Sequence, residues 1–164
     1  MFTLKQVGKQ KTEALLENMI DVNPEVAKNT KLYDQGYTGQ KLAGYVFLCV
    51  DNIDLRRQIV NDNRYNFNIQ AMFDFRTALT TGQHYAADWN KDKDISDLLD
   101  TMDFHHEEAE KNVPVSACKV SLCVAPTVRL VSTVGVTNFI NFVKNGKLEK
   151  AILTDPFTYN ITII

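Results

Sequence analysis

Residues 65–76 read Tyr-Asn-Phe-Asn-Ile-Gln-Ala-Met-Phe-Asp-Phe-Arg, and this stretch decides the fold class. Tyr65, Phe67, Ile69, Ala71, Phe73 and Phe75 alternate with Asn66, Asn68, Gln70, Met72, Asp74 and Arg76. Period-2 alternation of that length predicts a strand with one aromatic and one mostly polar face. Half-burial belongs to antiparallel sheets, because parallel strands covered on both faces read as continuous apolar runs. Downstream, Val115 to Val124 places Cys118, Val120, Leu122 and Val124 on one face, and Val128 to Val136 continues in β-branched residues. Asn145-Gly146 between Phe139–Val143 and Leu148–Leu153 predicts a hairpin with a type I′ turn, which needs positive φ at both central residues. After Asp155-Pro156, the residues Phe157, Tyr159, Ile161 and Ile163 alternate with Thr158, Asn160, Thr162 and Ile164.

Upstream, the apolar run Ala43 to Val50 reads as a buried strand, and Asp51-Asn52 caps a short helix carrying Leu55, Ile59 and Val60. Thr12 caps a helix with Ala14, Leu15, Leu16, Met19 and Ile20; Asn23-Pro24 starts another. Residues 77–92 read as a polar connection containing Gly82 and Trp89. A long acidic helix is expected over about 94–111, with Ile95, Leu98, Leu99, Met102 and Ala109 as its buried stripe. The sum is an α+β fold: N-terminal helices and the acidic helix packed on a mostly antiparallel sheet or sandwich built largely from the C-terminal half. A doubly wound fold is disfavoured, since the last fifty residues read as strands and leave no room for crossover helices.

The chain of 164 residues fits one domain, 1–164, with 23% charged and 45% hydrophobic residues and a formal net charge of −2. The longest apolar run, Tyr45 to Val50, falls far short of the roughly 20 residues that span a bilayer, so no membrane contact is expected. Met1 to Lys5 shows no signal-peptide pattern. Cys49, Cys118 and Cys123 read as buried free thiols, which places synthesis in a reducing, intracellular compartment.

Charge is uneven. Between Ala86 and Lys111 nine carboxylates face three lysines, whereas residues 112–164 carry five basic against two acidic side chains. One reading is a solvated acidic helix; another is a docking face in which Asp97, Asp100 and Asp103 meet the basic strands of a neighbouring subunit. Asp88-x-Asn90-x-Asp92-x-Asp94 places oxygens at alternate positions, but neither register supplies the Gly and Glu that an EF-hand loop needs. His84, His105 and His106 lie near Asp88 and Glu110. They are the residues a small metal-dependent hydrolase would use, although adjacent histidines point about 100° apart on a helix and do not easily share a metal. Nucleophile elbows and phosphate loops are absent. Arg56-Arg57 is too small a basic cluster for a duplex footprint, so duplex nucleic acid is not expected as the main ligand.

These readings favour a non-enzymatic structural or assembly protein with no cofactor. It would act as a homo-oligomer or by docking with other protein subunits. Its expected contacts are Phe157, Tyr159, Ile161 and Ile163 on the last strand, where the sequence runs to its end without a polar tail, and Asp97, Asp100 and Asp103 on the acidic helix. Fourteen asparagines suit an AT-rich genome such as a bacteriophage's. A virion component (tail-tube, head–tail connector or capsid-decorating subunit) is the concrete expectation, by architectural analogy.

Overall fold

A computed structural model describes residues 3–33, 35–105, 107 and 124–164. The chain divides into two compact units, Met1–Thr38 and Gly39–Ile164. The first opens with a 3-10 turn, Leu4–Gln6, whose Gln6 side chain accepts from the Thr3 N–H at 2.9 Å and donates to the Ala14 carbonyl at 2.9 Å. Helix α1 spans Lys11–Val22, starting one residue before Thr12, with Gln10 as its N-cap. The single turn α2, Val26–Asn29, follows Asn23, whose side chain accepts from the Glu25 N–H at 3.1 Å.

The second unit is an α+β fold on one five-stranded sheet, ordered β1-β2-β3-β4-β5. Its strands are β1 (Gly44–Leu48), β2 (Ile69–Thr77), β3 (Gly82–Asp88), β4 (Ala151–Asp155) and β5 (Asn160–Ile163). Only β1 and β2 run parallel, joined across helix α3 (Ile53–Asp62); the other neighbours are antiparallel. A parallel pair needs such a crossover, and a hairpin does not. Asn52 caps α3, accepting from the Leu55 N–H at 3.0 Å. Helix α4 spans Asp92–Asp100, and α5 spans Ala125–Asn145.

Two expectations change here. Residues 128–136 and 139–143 are not strands but the body of α5, with a proline in its first turn and Gly146 just beyond its end at φ 68°. Proline just inside and glycine just outside is the asymmetry of a helix, and a left-handed glycine closes a helix as readily as a hairpin. A crossover-sized helix therefore does occupy the last fifty residues, yet the sheet stays mostly antiparallel. Residues 82–88, read as a polar connection, form β3 at the centre of the sheet. The expected strand 115–124 lies, apart from Val124, outside the described residues.

The register sorts the sheet into two faces. Ala71, Phe73 and Phe75 share one with Gly82, His84, Ala86, Ile152 and Thr154. Helix α5 packs across β2, β3 and β4 there. Phe139 and Phe142 join Tyr45, Phe75 and Leu148 around the buried Ala71, Phe73 and Ala86. Contact is close enough that a β-carbon on Gly135 would sit 2.1 Å from the Phe75 ring, and one on Gly82 would sit 2.7 Å from Val131.

The opposite face carries Met72, Asp74 and Arg76 of β2. It was expected to be the wetter one, yet Met72 and Asp74 are fully buried. The α3 arginine Arg56 forms an ion pair with Asp74, and Arg76 pairs with it at 2.7 Å. Two cations on one carboxylate make its burial tolerable. The alternation does not extend upstream of Ile69: Tyr65 and Phe67 are exposed and precede the strand.

The acidic helix is shorter than expected. Its last turn gives way at Thr101, where the backbone carbonyls find arginines instead of helical donors. Arg76 donates to the Thr101 carbonyl at 2.7 Å, and Arg57 donates to the carbonyls of Met102 and Phe104. Helix C-termini leave carbonyls unsatisfied, and cationic donors complement them. Of the remainder of the expected helix, 106 and 108–111 lie outside the described residues. None of the described helices is long and apolar enough to cross a membrane.

Candidate functional site

His84 is a buried strut. Its Nδ1 lies 3.1 Å from the Asp74 carbonyl, and its Nε2 lies 3.1 Å from Asn138 Nδ2. Asn138 is itself fixed: its Oδ1 accepts from the Glu149 N–H at 2.9 Å, and its Nδ2 donates to the Glu149 carbonyl at 2.8 Å. A carbonyl can only accept and an amide nitrogen can only donate, so Nδ1 carries the proton and Nε2 accepts. Burial pushes the imidazole below its ordinary value, with the Asp74 carbonyl opposing. Both ring nitrogens are thereby occupied, Nδ1 against β2 and Nε2 against α5, which leaves none for a metal ion. His105 is exposed, 3.9 Å from Asp54; His106 and Glu110 lie outside the described residues. Among the described residues no three metal-ligating side chains converge.

Asp88 ends β3 and folds back on the chain that follows, accepting from the Asn90 N–H at 3.1 Å. Burial works to raise its carboxyl, but hydrogen bonds from Lys91 and Asn90 outweigh that and hold it below the usual range. Its oxygens thus serve the turn into α4. Cys49, read as buried, is exposed, because β1 ends at Leu48. Cys118 and Cys123 lie outside the described residues.

The acidic helix meets a lysine of its own chain. Lys150, immediately before β4, pairs with Asp94 at 2.5 Å and with Asp97 at 3.0 Å. Hydrogen bonds to those two carboxylates raise the ammonium above its ordinary value. Asp97 is therefore engaged by this chain, whereas Asp103 is exposed.

Asp100 is likewise exposed; of the contacts expected on the last strand, Phe157 and Tyr159 lie in the turn before it, and only Ile161 and Ile163 belong to β5. Asp155 opens the β4–β5 turn, its carboxylate accepting from the N–H groups of Phe157 at 2.8 Å and Thr158 at 3.2 Å. Those bonds, the Phe157 one foremost, lower the Asp155 carboxyl. Tyr159 closes the turn in a left-handed conformation, φ 56°, with its side chain 94% exposed. An L-residue pays about 1 kcal/mol or more to sit there, and glycine or asparagine is the usual occupant. In β5, Ile161 is 50% and Ile163 58% exposed.

Strand β5 is an edge. On one side it pairs with β4, and Ile164 donates to the Ala151 carbonyl at 3.0 Å. Backbone groups alternate along an antiparallel strand, so the N–H and C=O of Asn160 and Thr162 also face β4. Those of Ile161 and Ile163 face outward, where no strand among the described residues meets them. Residues 160–163 are all exposed, and none is charged, proline or glycine. Natural edges are normally blunted by lysine, proline or a bulge; β5 has none of the three. The alternation of its side chains is visible in the sequence; its outward backbone groups emerge only from the strand order.

Comparison with protein-family models and with curated proteins finds no match.

Proposed function

We propose that this chain is a non-enzymatic assembly protein that works by self-association, with β5 as its contact. The outer edge of β5, uncharged and met by no strand among the described residues, is the observation that carries this reading. Main-chain donors and acceptors on such an edge supply affinity, while the alternate side chains Ile161 and Ile163 supply apolar contact. Tyr159 adds support: an exposed aromatic kept where its backbone is strained suits a surface used for contact, and tyrosine is enriched at interfaces. A bacteriophage virion subunit, whether tail-tube, head–tail connector or capsid-decorating, is the setting we assign from composition and architecture.

Light scattering of the full chain, beside a variant lacking residues 157–164, tests the reading. We expect a concentration-dependent oligomer for the full chain, and a folded monomer, with native-like circular dichroism, for the truncation. A full chain that stays monomeric overturns the reading. So does a folded truncation that keeps the full chain's mass distribution.

A further inference from the structure

We propose that the occupant of the β5 edge is β5 of a second copy, paired antiparallel about a two-fold axis with Ile161 opposite Ile163. This rests on the self-association reading above and names its partner and symmetry.

The register follows from three observations. First, the outward backbone groups are those of Ile161 and Ile163, because Ile164 donates inward to the Ala151 carbonyl. In an antiparallel ladder the residues that exchange both N–H···O bonds must each point toward the other strand. With Ile161 facing Ile163 of the second copy, and the reverse, every outward group finds a complementary one. Second, directly opposed residues share a face of the sheet. Ile161 stands opposite Thr154 and Ile163 opposite Ile152, which places both isoleucines on the face that α5 covers. Pairing Ile161 with Ile163 keeps that face apolar on both copies and gathers their half-exposed isoleucines into one cluster. A slip of one residue would set isoleucine against threonine or asparagine and turn the second copy over. Third, no side chain from Asn160 to Ile164 is charged, so the side chains of a second copy bring no like charge against them.

Self-pairing also separates this contact from a head-to-tail one. If β5 docked on the far edge, β1, the rotation would build a ring or a filament; pairing with itself uses one patch twice and closes at a dimer. The two-fold passes through Thr162, which stands opposite its own copy as a non-hydrogen-bonded pair, with Cα atoms about 4.5 Å apart. That separation suits a disulfide.

Thr162→Cys in the full chain, oxidised mildly and mapped by peptide mass spectrometry, is the test. We expect a 162–162 linked peptide, and none between copies of Asn160→Cys, since those positions lie about 13 Å apart along the paired strands. Ile163→Pro removes an outward N–H without touching the β4 ladder, a place where edge strands tolerate proline. It should convert the dimer to monomer at the same concentration. If its melt shows that it does not fold, the Ile161→Lys/Ile163→Lys chain serves instead. That chain alone should be monomeric, and it should pair on mixing with the Ile161→Glu/Ile163→Glu chain. An oligomer that needs Ile163 but gives no 162–162 link overturns the two-fold register and leaves self-association through β5 standing. A chain that is monomeric throughout overturns both.

Discussion

Replacing Gly135 with alanine sets a gain against a clash, and the structure decides which wins. In a helix interior alanine is favoured over glycine by about 1 kcal/mol. Against this, the new β-carbon would lie 2.1 Å and 2.6 Å from two atoms of the Phe75 ring and 3.0 Å from His84 Nδ1. Ordinary contact begins near 3.4 Å, so the ring must retreat by more than 1 Å or α5 must lift off the sheet. Phe75 has little room, with the His84 ring centred 4.8 Å away and the Phe47 ring 6.1 Å away. Overpacking of this kind costs about 1–3 kcal/mol, and an overlap this deep belongs at the upper end. Net destabilisation should be about 1–2 kcal/mol, which in a chain of this length lowers Tm by roughly 2–8 °C. Urea unfolding of wild type and Gly135→Ala at one protein concentration measures it, which keeps the proposed self-association equal between the two. A Phe75→Leu background removes the offending ring atoms, and there Gly135→Ala should be neutral or stabilising. Equal or greater stability of the single variant, or strict additivity in the double-mutant cycle, would refute the close contact between α5 and β2.

Two further predictions concern the buried histidine and the strained turn. In the folded chain the His84 imidazole titrates below its ordinary 6.5, so as pH falls through that value the unfolded chain binds a proton that the folded chain refuses. Stability should decline on acidification from about pH 6.5, by at most about 1.4 kcal/mol per pH unit for this group; a His84→Gln variant whose urea midpoint keeps the wild-type pH slope would contradict this. Tyr159→Gly should relieve the left-handed strain and raise monomer stability by up to about 1 kcal/mol, and thermal melts on dilute protein check it, an unchanged or lower Tm counting against the strain.

Much of the fold was legible where a strand or helix keeps a regular period of apolar or capping residues. The alternation through Ile69 to Phe75, the Asn52 cap and the alternation at Ile161 and Ile163 all sit where the sequence placed them. The elements that escaped notice, β3 and α5, are partners in one tight contact. Their facing residues are Gly82, His84, Gly135 and Asn138, chosen by closeness and hydrogen bonding and not by hydrophobicity. Such residues erase the apolar period from both partners at once, leaving the β-branched residues of α5 to suggest strands. Of the two positive φ angles that the Asn145-Gly146 hairpin would need, only that of Gly146 is present, because Asn145 is the last residue of α5. His84 and Asn138 stand far apart in sequence, and so no local pattern could join them.

Asp74 ties together parts of the chain that are distant in sequence. Arg56 reaches it from α3, and Arg76 reaches it from β2 while holding Thr101 at the end of α4. Fraying α4 on its own would loosen Arg76, and lifting α3 would strand a buried carboxylate with half its compensation gone. Neither element can open cheaply without the other, because an unpaired buried charge costs about 3–5 kcal/mol. Native-state amide exchange should therefore find α3, the middle of β2 and α4 opening as one cooperative unit. On the proposed pairing, the amides of Ile161 and Ile163 stay outside it, exchanging freely in the monomer and slowing when a second copy joins β5.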